Sequence, residues 1–224
     1  MKINILEEGI PFDIQKEYLD YSHSFERGEL TPKEIEHVGN LLLYPDVPVE
    51  GKKKALAILA HVGTIEAFIQ ISNYYKNPDN EIIHWTALAL QECKMFLESE
   101  LTDENVGFIS TGLGGTNDKM RVYYLILPLE NKSFTKKQHK TIEAELEFIG
   151  KKYNCPIEGF DFQDNYVGLT VLIPFDITIA TFIENGIKSC NEFEIFVLEH
   201  YYAGNLEIPN EEETVRLIKI VREG

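Results

Sequence analysis

Cysteine is scarce in this chain, with only Cys93, Cys155 and Cys190 among 224 residues. They are odd in number, widely spaced and never arranged as Cys-x-x-Cys. That excludes a disulfide framework, a zinc ribbon and a thioredoxin-type motif. Buried free thiols in a reducing compartment are expected. Long apolar runs are also missing: none approaches the roughly 18 residues that a membrane span needs. The opening residues, Met-Lys-Ile-Asn-Ile-Leu-Glu-Glu-Gly, lack the apolar stretch of a signal peptide, so a cytoplasmic protein away from membranes is expected. Catalytic signatures are absent as well. Gly-x-Ser-x-Gly and His-Glu-x-x-His do not occur. The histidines His23, His37, His61, His84, His139 and His200 show no metal-binding helical spacing, and Glu199-His200 has no nucleophile beside it. No catalytic residue, metal or cofactor is expected on this reading.

Positive charge is in deficit. The chain carries 21 basic and 37 acidic side chains, a formal charge of -16. Residues 1–104 hold 9 basic against 19 acidic groups, and residues 105–224 hold 12 against 18. Such a balance repels phosphate backbones, so no nucleic-acid partner is expected. Lys52-Lys53-Lys54, and Lys136-Lys137 with Lys140, read as solvated helix faces. Acidity can instead steer a basic protein partner toward the chain.

What is present is two kinds of pattern. In residues 1–104 the apolar spacing is helical. Thr31-Pro32-Lys33-Glu34 combines a cap, a proline at the first helical position and a capping-box glutamate. A second helix over Lys52–His61 ends at Gly63, a typical helix-terminating residue. Thr64 caps a third helix carrying Ile65, Phe68, Ile69 and Tyr74. After the turn Asn77-Pro78-Asp79-Asn80 comes a fourth, with Trp85, Leu88, Cys93 and Phe96. Tyr18, Tyr21 and Phe25 also fall at helical spacing.

In residues 105–224 apolar runs alternate with amphipathic segments. Strands are predicted over 106–111, 121–127, 156–162, 166–173 and 193–199, two of them stopped by Pro128 and Pro174. Helices are predicted after Thr135, with Gln138 completing a capping box, after Asp176, and from Asn210. The order reads ββα–ββα–β–α, with 106–111 a candidate to fall outside the main sheet. The fold class is therefore α+β: a helical domain over 1–104, then an antiparallel sandwich of duplicated ββα units over 105–224, with helices on one sheet face.

Two resemblances follow. Lys53-Ala55-Leu56-Ile58-Leu59, Val62-Gly63-Thr64-Ile65-Glu66-Ala67 and Asn77-Pro78-Asp79-Asn80-Glu81-Ile82 together resemble a HEAT-type helical repeat over residues 33–100. The chain departs from that pattern in lacking a long array. It also has Ile82-Ile83-His84 where the usual arginine stands. The second half is similar to ferredoxin-like sandwiches.

The HEAT resemblance implies a surface for another protein; a helical subdomain that merely packs remains the alternative. Tyr74, Tyr75, His84 and Trp85, beside the repeat turn, are the candidate partner-binding residues. The expected function is thus a non-enzymatic adaptor or regulator, with an immunity-type inhibitor of a cationic toxin as one version. The alternative is a small-molecule sensor that uses the sheet or the loop Gly112–Asp118. There Gly112, Gly114 and Gly115 would turn backbone N–H groups toward an anion, near Asp118 and Arg121. An enzyme ranks third. Glu158, Asp161 and Asp164 read as a solvated turn in preference to a cation site. Oligomeric state is not readable from the sequence.

Overall fold

The computed structural model describes residues 2–24, 28–116, 118–130 and 132–223. Phe25 and Asn117 lie outside the described residues. The chain forms two compact units: Met1–Leu6 with Ile10–Ser110, and Glu7–Gly9 with Thr111–Gly224. The expected boundary at 104/105 therefore moves to 110/111, and a short N-terminal segment belongs to the second unit.

The first unit is mixed, not wholly helical. It contains β1 (Lys2–Ile5), α1 (Phe12–Ser22), α2 (Pro32–Leu41), α3 (Val49–Val62), α4 (Ile65–Tyr75), α5 (Ile83–Thr102) and β2 (Val106–Ile109). Strand β2 was expected at the head of the C-terminal half. It instead pairs in parallel with β1, Lys2 opposite Val106 through Ile5 opposite Ile109. A parallel pair needs a long crossover, and here the five intervening helices supply it.

Local signals set the helix ends. Thr31 and Glu34 form the reciprocal box, with the Glu34 carboxylate accepting from the Thr31 backbone N–H at 2.8 Å. Those bonds hold the Glu34 carboxyl below its usual range. Gly63 ends α3 in the left-handed region, φ 63°, and the Thr64 side chain caps α4 at Ala67. The core gathers Leu56, Leu59, Ile71, Trp85 and Leu88. Tyr18 and Tyr21 of α1 meet the Trp85 ring edge-on at 5.1 and 5.5 Å.

Two polar devices sit in this core. Glu92 accepts from the Tyr18 hydroxyl at 2.6 Å and the Ser22 hydroxyl at 2.8 Å, all three residues being buried. Lys52, only 5% exposed, places its ammonium 2.5 Å from Asp79 and 5.8 Å from the Tyr74 ring centre. Lys52 holds the Asp79 carboxyl below its ordinary range. A carboxylate depressed in the folded state contributes stability that is present above its unfolded pKa and lost as pH falls through the folded one. Acid denaturation should therefore soften in Asp79→Asn below a pH of about 4. Because Asp79 is about half exposed, the gain should stay under about 1 kcal/mol. Urea midpoints of the two proteins across pH check this. Equal acid slopes would remove Asp79 from the account.

The second unit contains β3 (Gly115–Thr116), β4 (Lys119–Pro128), α6 (Lys136–Tyr153), β5 (Ile157–Phe162), β6 (Val167–Pro174), α7 (Ile179–Cys190), β7 (Val197–Gly204) and α8 (Glu211–Glu223). All its strand pairs are antiparallel. β6 joins β4 to β5, while β7 and the short β3 pair with the other side of β4. The repeat is therefore β4–α6–β5 followed by β6–α7–β7, grouped as βαβ and not as ββα. The two proline-ended runs lie side by side at the centre, Met120 opposite Ile173 and Ile126 opposite Val167. Two boundaries differ from expectation. Thr178, not Asp176, caps α7, and the last strand begins at Val197 instead of Phe193.

Alternation along β4 sends Val122, Tyr124 and Ile126 toward Ile142 and Leu146 of α6 and Phe182 and Ile183 of α7. Tyr123, Leu125 and Leu127 face the other way and meet Ile218 and Val221 of α8. Helices thus cover both faces of the sheet. Cys93, Cys155 and Cys190 are free and buried, and burial pushes their thiols up to about 12, 11 and 12. Among the described residues no helix is long and apolar enough to cross a membrane.

Candidate functional site

The residues nominated for partner binding do not form a surface. Trp85 and Tyr74 belong to the core, at 2% and 5% exposure. Lys53 lies 4.6 Å from the Trp85 ring centre, and the Tyr74 hydroxyl accepts from the Asp79 backbone N–H. Tyr75 is exposed and His84 only partly so. Large aromatics bury the most apolar area, and here that gain outweighs their use as contact residues.

The glycine loop is occupied by its own chain. Leu113 N–H donates to Asn205 O, Gly114 N–H to Thr111 O, and Gly115 N–H to Glu7 O. A Cβ on Gly112 would overlap the Leu206 carbonyl, and one on Gly114, φ +66°, would overlap the Glu7 carbonyl. These glycines let three backbone segments touch. The donors an anion would need are already engaged, so a cradle here is ruled out on geometry. Arg121 is engaged too: its guanidinium meets both Glu158 oxygens at 2.5 and 2.9 Å and the Leu113 carbonyl at 2.6 Å. Asp118 is exposed at the neighbouring turn. Glu158 is thus taken, and Asp161 accepts from Tyr166 and Gln163. Among the described residues no cluster of three histidine, cysteine or acidic side chains has the geometry to hold a metal.

A different patch combines charge with rings. From residue 131 to 142 the only charged side chains are Lys132, Lys136, Lys137 and Lys140. All four are exposed. Lys132 pairs with Glu130 at 2.5 Å. Among the described residues no carboxylate pairs with the other three. They sit on the first turns of α6, held by the Thr135–Gln138 capping box.

Beside them runs a short ladder of half-buried rings. His139 lies 5.1 Å from Phe162, which stacks on Phe160 at 5.1 Å and 14°. The His139 Nε2 lies 3.2 Å from the Gln163 carbonyl, which ties α6 to the β5–β6 turn. Phe160 and Phe162 share the face of β5 turned toward α6. Asp161, between them, points to the opposite face and bonds Tyr166 there. Burial, then Asp161, pushes the Tyr166 hydroxyl up to about 12. Asp161 is thereby kept off the lysine side, and Glu158, the other acidic residue of β5, is held by Arg121. An open groove of about 630 Å³ continues along α6 and β5, lined by Lys151, Asn154 and Gly159. Sequence reasoning took the lysines as solvated and did not see the rings, because His139 and Phe162 come together only in the folded unit.

No family model matches this sequence, and no curated protein matches it. Two solved structures align with part of the chain. One is a REP-associated tyrosine transposase bound to a REP hairpin, with 7% identity, TM-score 0.35, and coverage of 47% of this chain and 68% of that one. The other, from Deinococcus radiodurans R1, is described as a candidate transposase; it has 9% identity, TM-score 0.38, and coverage of 49% and 93%. Neither is a HEAT-type repeat or an adaptor, and the first holds a REP hairpin. The expectation of a HEAT-like, protein-binding adaptor without a nucleic-acid partner is withdrawn. The burial of Tyr74 and Trp85 removes its proposed contact residues. At these scores the likeness transfers no activity to this chain.

Proposed function

We propose that the second unit binds single-stranded nucleic acid along its α6–β5 edge. One observation carries this reading: three lysines without carboxylate partners stand beside a ladder of half-buried rings. Phosphates meet Lys136, Lys137 and Lys140, and an unstacked base lies against the His139–Phe162 rings. A duplex keeps its bases stacked, so it offers the rings nothing. The net charge of -16 acts against approach, but at physiological salt it is screened beyond about 8 Å.

The test is fluorescence anisotropy with a short labelled single-stranded oligonucleotide and the matching duplex. Contacts to three or four phosphates imply a slope of log affinity on log salt of about -2 to -3. Reversal of Lys136, Lys137 and Lys140 to glutamate should abolish binding while leaving the melting temperature unchanged, since all three are exposed. Phe162→Leu keeps an apolar group on β5 and should weaken binding by roughly 5- to 150-fold, the usual worth of one stacked base. Equal binding of the lysine variant, or no binding even at low salt, rejects this function.

A further inference from the structure

The α6–β5 groove holds a row of backbone groups that the sheet leaves unused. β5 is the terminal strand of its sheet and pairs with β6 alone. At its turn end Gln163 N–H donates to Tyr166 O, and at its other end Pro156 O accepts from Leu172 N–H. Bonded and non-bonded pairs alternate along an antiparallel ladder, and the register shift at Glu158 keeps the two ends in step. Phe162 opposite Val167, Phe160 opposite Leu169 and Ile157 opposite Val171 are therefore non-bonded pairs. Their N–H and C=O groups point away from β6, and among the described residues nothing is hydrogen-bonded to them there. Ile157 and Phe160 line the groove. Phe160 also stacks on Phe162, so the ring ladder runs into the groove without a break.

The helix wall facing this edge carries charge. Lys136 and Lys140 are about one turn apart on α6, and Lys151 lies about three turns further along the same line. Lys151 is 81% exposed and lines the groove. Glu147 stands 3.9 Å from it, an exposed pair of little strength. Glu158 is held by Arg121, while Lys119, bonded to the Asn154 Oδ1 at 3.0 Å, adds a cation at the far end. We propose that this groove is a second subsite for the same nucleic-acid strand, an inference that rests on the single-strand reading above. The strand passes the His139–Phe162 rings and continues toward the C-terminal end of α6. Its unpaired bases offer donors and acceptors along their edges, which meet the N–H and C=O groups of Ile157 and Phe160. A phosphate meets Lys151.

The test compares labelled single-stranded oligonucleotides of about four and about eight nucleotides, a span that such grooves cover. By anisotropy the longer should bind at least about tenfold more tightly, the worth of one or two net hydrogen bonds. Its slope of log affinity on log salt should be steeper by about 0.7 for each added phosphate contact. Lys151→Glu should remove both gains and leave the affinity of the shorter oligonucleotide as it was. Lys152→Glu is the control: it makes the same change of charge one residue on, where the side chain lines the groove toward α7, and should alter neither. Glu147→Gln releases Lys151 and should tighten the longer oligonucleotide alone. All three side chains are exposed, so melting temperatures should not move. Equal affinity for the two lengths, or equal weakening by Lys151→Glu and Lys152→Glu, overturns the subsite and leaves binding at the start of α6 intact. Absence of binding at either length removes the single-strand reading and the subsite with it.

Discussion

Gly112→Ala is expected to unfold the second unit. The methyl group would fall on the Leu206 carbonyl, and that obstacle is backbone, which has no rotamer to change. Leu206 follows β7, where Leu113 N–H is bonded to Asn205 O, so yielding on one side breaks a hydrogen bond on the other. Gly9 sits against the Gly112 carbonyl in the same way, which closes the remaining direction. Overpacking a core side chain costs about 1–3 kcal/mol. A clash between three backbones with lost hydrogen bonds belongs to the exceptional class above about 4 kcal/mol. Gly159→Ala is the control, since nothing lies within 4 Å of its Cβ position; it should change stability by no more than about 0.5 kcal/mol. Circular dichroism in urea compares the two. A Gly112→Ala midpoint equal to that of the parent would show that the loop adapts, and would restore it as a candidate ligand site.

The second large effect concerns Glu92. Its two oxygens accept from Tyr18 and Ser22, both on α1, while Glu92 itself is on α5. Glu92→Ala strands two buried hydroxyls and opens a void next to Trp85 and its aromatic neighbours. Leaving a buried polar group without its partner costs about 1–3 kcal/mol, so stranding two hydroxyls should cost about 3 kcal/mol or more. Tyr18→Phe removes one donor and should cost about half of that. Hydrogen exchange gives the sharper reading. The α1 amides should lose protection in Glu92→Ala while those of α3 keep theirs. Uniform loss across the unit would mean that Glu92 supports the whole core and not the attachment of α1.

What could be read from the sequence was whatever depends on near neighbours. The Thr31–Glu34 and Thr135–Gln138 boxes span three residues and form as expected. Gly63 as a helix stop needs only its own backbone. The proline-ended strands could be read because apolar alternation and a missing N–H are local facts. The mixed α+β class followed from these elements. Grouping did not, since β4 and β6 are neighbours only through register. Strand β1 was missed because four residues become a strand only through pairing with β2, a hundred positions later. The glycine loop invited an anion because its real partners, residues 7–9 and 205–206, are remote in sequence. The lysines of α6 were visible and read as a solvated helix face, the usual role of mixed surface charge. Their proposed role depends on Phe162, which β5 brings beside α6, and on Asp161 turning the other way.

The segment Glu7–Gly9 gives the molecule an inheritance of its own. A gene cut at codon 110 yields a first piece carrying three residues that belong elsewhere and a second piece missing them. The Gly115 N–H would then lose the Glu7 carbonyl, and Gly114 would lose the Glu7 and Glu8 backbone against which no side chain fits. A sandwich borrowed by recombination at that point would arrive incomplete. The two halves are therefore poor cassettes for shuffling: selection must keep them together, or provide a substitute for three residues at the far end of the reading frame.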